Sequence, residues 1–176
     1  ADRLRFDFSH MKPISEKEVE KIETIVNEMV QTQSNVKTRL MTPKEAVNNG
    51  ALALFGEKYG DEVRVVSIGD KIGAGKGLGG QAYSLELCGG THVKRTGEIG
   101  TFTILSDSAS SSGVRRIEAL TGENAVIHLA KRSQQVNELG ALLKVSTDEL
   151  IQRVNVLMEE RKKLTVEVAE LKRNLA

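Results

Sequence analysis

Leu150, Val154, Leu157, Arg161, Leu164, Val168, Leu171 and Leu175 step by four and three residues without a break. No strand satisfies that spacing, so the last part of the chain is predicted to be one continuous helix with an apolar seam, interrupted only at Arg161. Ser146 followed by Glu149 is a capping-box signal for its start. A seam of this kind needs a partner. The preceding helical stretch, with Val126, Leu129, Ala130, Val136, Leu139, Leu142 and Leu143, offers one by folding back, and a second chain or a downstream segment offers another.

Before residue 123 the pattern is mixed. Leu4, Phe6 and Phe8 alternate with Arg5 and Asp7, as in a half-buried strand. Ser15 and Glu18 form a capping box ahead of Val19, Ile22, Val26, Met29 and Val30, predicting a helix over 16–32. Val36, Thr38 and Leu40 alternate again. Thr42, Pro43 and Glu45 then open a second helix, expected to end near Gly56. Residues 62–68, a stretch through Tyr83, Leu85 and Leu87, residues 101–105 and residues 114–120 read as strands, the last two separated by the Ser/Gly-rich SDSASSSG. The expected architecture is α+β: a mixed or antiparallel sheet with packed helices over 1–122, then a helical coiled-coil arm over 123–176.

Charge narrows the function classes. Lys and Arg number 25 against 24 Asp and Glu, so a nucleic-acid partner must be met by a local patch and not by a global field. Aromatic residues make up 3% of the chain and tryptophan is absent, which disfavours a base-stacking platform. A single cysteine excludes an internal disulfide framework. With a charged N-terminus and no membrane-length apolar run, a cytoplasmic location without a membrane partner is expected.

The glycines of GAGKGLGG fit G-x-G-x-x-G at Gly75, Gly77 and Gly80, but the following QAYSLEL alternates like a strand, where a dinucleotide site needs a helix. The Walker pattern fails too, because Gly77 follows Lys76. The segment reads as a hairpin connection in which Lys71 and Lys76 offer loose point charges to a phosphate backbone. The serines of SDSASSSG have no histidine close in sequence to act as base. Arg115 and Arg116 fall on opposite faces of one strand, so one meets solvent or an acid while the other is free to face a ligand.

Cys88 and His92 stand in C-x-x-x-H spacing across Gly89 and Gly90. Thiolate and imidazole are both zinc ligands, and a diglycine bend lets two side chains reach one ion. A buried cysteine beside a hydrogen-bonded histidine is the commoner use of such a pair. Zinc takes three or four protein ligands, and the other histidines are His10, at the end of the first strand, and His128, far along a helix.

RLRFDFSH, LELCGGTHV and RTGEIGTFTILSDSASSSGVRRIEALTG, in that order and with the helical segment after them, resemble the editing domain of the alanyl-tRNA synthetase family. Free-standing alanyl-tRNA editing proteins and the threonyl-tRNA synthetase editing domain are similar at greater distance. The resemblance implies hydrolysis of serine or glycine wrongly attached to alanine tRNA. It also implies zinc held by an H-x-x-x-H pair on an upstream helix plus Cys88 and His92, with Thr91 lining the same turn. Lys94, Arg95, Arg115 and Arg116 become candidates for the phosphates of the tRNA acceptor end. The upstream histidine pair has no counterpart in this sequence, and two ligands alone are expected to bind zinc poorly. The insertion after Asp70 is longer than the family connection. The helical arm adjoins the position where such enzymes continue into tRNA-binding and oligomerising regions, so an internal piece without ATP chemistry is expected. A non-catalytic scaffold that dimerises or binds tRNA through its helix is the competing reading.

Overall fold

A computed structural model describes residues 3–52, 60–70 and 82–175. The chain divides into two compact units, Ala1–Val126 and Ile127–Ala176.

Among its described residues the first unit holds six strands in two separate three-stranded antiparallel sheets. One is ordered β1-β6-β5, from β1 (Leu4–Ser9), β5 (Phe102–Ser111) and β6 (Val114–Thr121). The other is ordered β2-β3-β4, from β2 (Val36–Met41), β3 (Val63–Asp70) and β4 (Ala82–Leu87). The expected α+β class holds, with the strands divided between two sheets. β5 runs past the strand expected over 101–105 and through the serine stretch to Ser111; pairing with β6 organises it, and Gly113 turns the chain at φ +72°.

Helix α1 (Glu16–Gln31) begins at the expected capping box: Ser15 N donates to Glu18 Oε2 at 2.8 Å and Glu18 N donates to Ser15 Oγ. Polar residues on its inner face tie it to β5. Glu23 accepts from Ile104 N at 2.6 Å and from the Thr103 hydroxyl at 2.9 Å. Asn27 accepts from Phe102 N and donates to Phe102 O, both at 2.9 Å. Phe102, Ile117 and Ala119 form the buried centre here, with Phe8, Ile14, Val26 and Ile104 packed on it. Phe6 remains 59% exposed, on the rim of an open apolar hollow of about 500 Å³ between this sheet and α1.

Helix α2 (Pro43–Asn48) is shorter than expected. Gly50 adopts φ +81°, its amide bonds to Val47 O, and Ala51 N bonds to Ala46 O, a closed Schellman stop that ends the helix before Gly56. Ala46, Val63, Val65 and Leu85 make the second core, between α2 and the β2-β3-β4 sheet.

Helix α3 (Gly122–Leu143) leads into the second unit, where a 3-10 turn at Thr147–Glu149 opens α4 (Leu150–Asn174). α3 does not cover the α4 seam: Leu139 and Leu142 are exposed, and so are Leu164, Val168 and Leu171. Among the described residues no helix is long and apolar enough to cross a membrane.

Candidate functional site

The C-x-x-x-H residues lie where β4 leaves the β2-β3-β4 sheet. β4 delivers the chain to Cys88, which is partly buried. Gly89, Gly90, Thr91 and His92 follow, all exposed. The stretch is held at both ends. At its start, Cys88 N donates to Arg64 O at 3.1 Å and Arg64 Nε donates to Cys88 O at 3.0 Å. At its end, Val36 N donates to Lys94 O and Thr96 N to Ser34 O, each at 2.9 Å. Thr96 is 2% exposed, and its hydroxyl accepts from Ser34 N at 2.9 Å while donating to Met29 O at 3.0 Å. The C-x-x-x-H stretch is thus an exposed span strung between two fixed points.

The diglycine is not used as a left-handed bend. Neither Gly89 nor Gly90 has a positive φ. A β-carbon on Gly89 would meet nothing within 4 Å, and one on Gly90 would meet Cys88 Sγ at an ordinary 3.6 Å. What the two glycines leave is open space beside the thiol.

Among the described residues no three His, Cys, Asp or Glu side chains come together in an arrangement that would hold a metal. Cys88 and His92 supply two donors where zinc takes three or four, so the described residues do not fit a complete zinc site. His10 lies elsewhere, its amide bonded to Gly113 O at 3.0 Å and its ring stacked 6.0 Å from that of Phe8. His128 lies on α3. The described residues that line the hollow beside α1, Leu4, Phe6, Phe8, Phe102 and Ile117 among others, include no titratable side chain and therefore no acid or base.

Both arginines of β6 meet acids. Arg115 grips Asp107 with Nε at 2.9 Å and Nη2 at 2.6 Å, in a pair whose side chains are 13% and 10% exposed. Arg116 grips Asp7 with both bonds at 2.7 Å, in the open. The Arg115 hydrogen bonds hold the Asp107 carboxyl below its usual range, with a further bond from Ile14 N helping and burial opposing. Asp7 is lowered by Arg116 in the same way. Lys94 and Arg95 are exposed beside the C-x-x-x-H span. Lys71 and Lys76, with the glycine-rich segment, lie outside the described residues.

Arg64 carries no local sequence signal that ties it to this span. Its position opposite Cys88 depends on the register between β3 and β4, and residues 71–81 separate those strands in the chain.

Residues 63–118, the stretch that carries this span and the paired arginines, match the family model described as "Threonyl and Alanyl tRNA synthetase second additional domain". Over 99% of its length the chain is 58% identical to an alanine–tRNA ligase of Cereibacter sphaeroides. Over its whole length it is 56% identical to the alanine–tRNA ligase of Dinoroseobacter shibae. Along its length the chain is similar to one segment of alanine–tRNA ligases. It spans 20% of the length of each of these two relatives. A third alanine–tRNA ligase, from Jannaschia sp., is 55% identical over 99% of the chain and is covered to the same 20%.

Proposed function

We propose that this chain is the editing portion of an alanine–tRNA ligase, serving hydrolysis of the ester that joins a wrongly attached serine or glycine to the terminal adenosine of alanine tRNA. The observation that carries the reading is the Cys88–His92 span, exposed and fixed at both ends, inside the stretch that matches the synthetase domain model. A separate hydrolytic site answers a physical need. A pocket discriminates poorly between small amino acids that differ by a methyl or a hydroxyl, so rejection requires a second step.

In this reading Cys88 and His92 are contributed to a zinc site, and the resemblance assigns the remaining ligands to a His-x-x-x-His pair outside these 176 residues. Thr91 stands on the same exposed span. Lys94 and Arg95, next to it, suit acceptor-end phosphates as point charges. Arg115 and Arg116 are already neutralised by Asp107 and Asp7, so their part in holding tRNA is secondary to holding β6 against its neighbours.

The test is Cys88→Ala in a full-length alanine–tRNA ligase containing this segment. Clearance of serine-charged alanine tRNA is expected to be lost while aminoacylation is retained; undiminished clearance would overturn the reading.

A second reading concerns the arm. The exposed α4 seam, with Leu164 at 59% and Leu171 at 55% exposure, suits pairing with a second copy of the chain.

A further inference from the structure

Arg64 sits near the start of β3, and the β3–β4 register, with Val65 opposite Leu87, continues by one position to set it opposite Cys88. Both backbone polar groups of Cys88 are tied to this one residue, the amide to its carbonyl at 3.1 Å and the carbonyl to its Nε at 3.0 Å. The same guanidinium carries a nitrogen, Nη2, that is buried and, among the described residues, has no hydrogen-bond partner. Among the described residues no carboxylate pairs with it.

A stranded charged donor is a cost to the fold, larger than that of a neutral group. An apolar side chain of the same length would remove it. What the guanidinium supplies, and an apolar chain would not, is the Nε bond at the point where the chain leaves the sheet toward His92. We propose that Arg64 is a positioning residue. It fixes the peptide plane after Cys88, and with it the direction in which the thiol and the exposed span leave the sheet. The proposal rests on the reading that Cys88 and His92 serve the editing site.

Two substitutions separate this role from simple packing. Arg64→Gln places an amide Nε2 where Nε stands and lacks Nη2, whereas Arg64→Met matches the length with no donor. In the full-length ligase, Arg64→Met is expected to lower kcat for deacylation of serine-charged alanine tRNA on the order of 10-fold or more, with KM unchanged, because small misplacements at a reacting centre are costly. Arg64→Gln should keep most of the rate. In this chain alone, hydrogen exchange at the Cys88 amide should quicken in Arg64→Met but not in Arg64→Gln, while the thermal midpoint of neither falls. Full deacylation by Arg64→Met overturns the proposal, as does equal loss in both variants or a loss that tracks a lowered thermal midpoint. Cys88→Ala, run beside them, keeps the two failures apart. If it too deacylates normally, the editing reading falls; if it is inactive while Arg64→Met is fully active, only the role of Arg64 falls.

Discussion

Gly100 and Gly122 lie back to back: a β-carbon built on Gly100 would stand 2.8 Å from the Gly122 Cα. Gly100 also holds φ +70° and ψ −163°, a region essentially restricted to glycine. Gly122, at φ +59°, donates its amide to Thr101 O at 2.8 Å and begins α3. The contact closes the turn before β5 against the end of β6.

Gly100→Ala combines backbone strain with overlap against main-chain atoms that have no side chain to swing away, and is expected to destabilise the chain by about 3 kcal/mol. Gly122→Ala brings the left-handed penalty with an ordinary 3.4 Å contact to Ile99 O, and should cost about 1–2 kcal/mol. Urea unfolding of both variants checks the order; equal losses would contradict the close approach.

The buried hydroxyl of Thr96 pins the far end of the Cys88–His92 span by joining Ser34 N to Met29 O. Thr96→Val keeps the shape but takes the acceptor from Ser34 N, while Met29 O keeps its bond from the Thr32 hydroxyl at 2.7 Å, at an expected cost of about 1–3 kcal/mol. Thr96→Ser keeps the hydroxyl and loses one methyl, at about 1 kcal/mol. Valine proving as stable as wild type would show that the hydroxyl carries no energy there.

Local signals were the legible part of this fold. The boxes at Ser15 and Thr42 start helices where expected because each is closed within four residues of chain. Stops were harder to read. α2 ends through Gly50, ahead of the stop expected near Gly56, while α3 ends with Lys144 at φ +55°, where no glycine marks the turn. Relationships set by pairing over distance were not legible at all. Nothing near Arg64 in sequence announces Cys88, and nothing in GVRRIEA announces that Asp7 and Asp107 take its two arginines. Of the candidate site, the C-x-x-x-H span was readable from residue types, but its two fixed ends were not.

Asp107 ties the β5–β6 hairpin to Arg115 and to the chain ahead of α1 through Ile14 N. Its carboxyl is lowered chiefly by the Arg115 hydrogen bonds, so the folded state favours the ionised form. The stabilisation is therefore present above the unfolded carboxylate pKa of about 3.9 and is lost as pH falls through the lower folded value. Asp107→Asn should be less stable than wild type from pH 5 upward, with the gap closing below about pH 4. Thermal midpoints measured across that range check it; a gap that does not change with pH would mean the carboxylate charge is not what binds Arg115.

The α4 seam assigns itself to heptad positions. Leu150, Leu157, Leu164 and Leu171 fall at d, and Val154, Arg161, Val168 and Leu175 at a. Leucine at d with β-branched valine at a favours two parallel strands, and a single charged a position fixes register. In that register Arg161 of one copy lies beside Glu160 of the other, and Glu167 faces Lys172. Such pairing would cover Leu164, Val168 and Leu171, which are 59%, 48% and 55% exposed in the single chain. Sedimentation should therefore show concentration-dependent dimers. Leu164→Lys should abolish them by placing a charge at d, and Arg161→Val should tighten them by removing the charged a layer. A chain that stays monomeric at high concentration, or a Leu164→Lys variant that still dimerises, would exclude the seam as the contact.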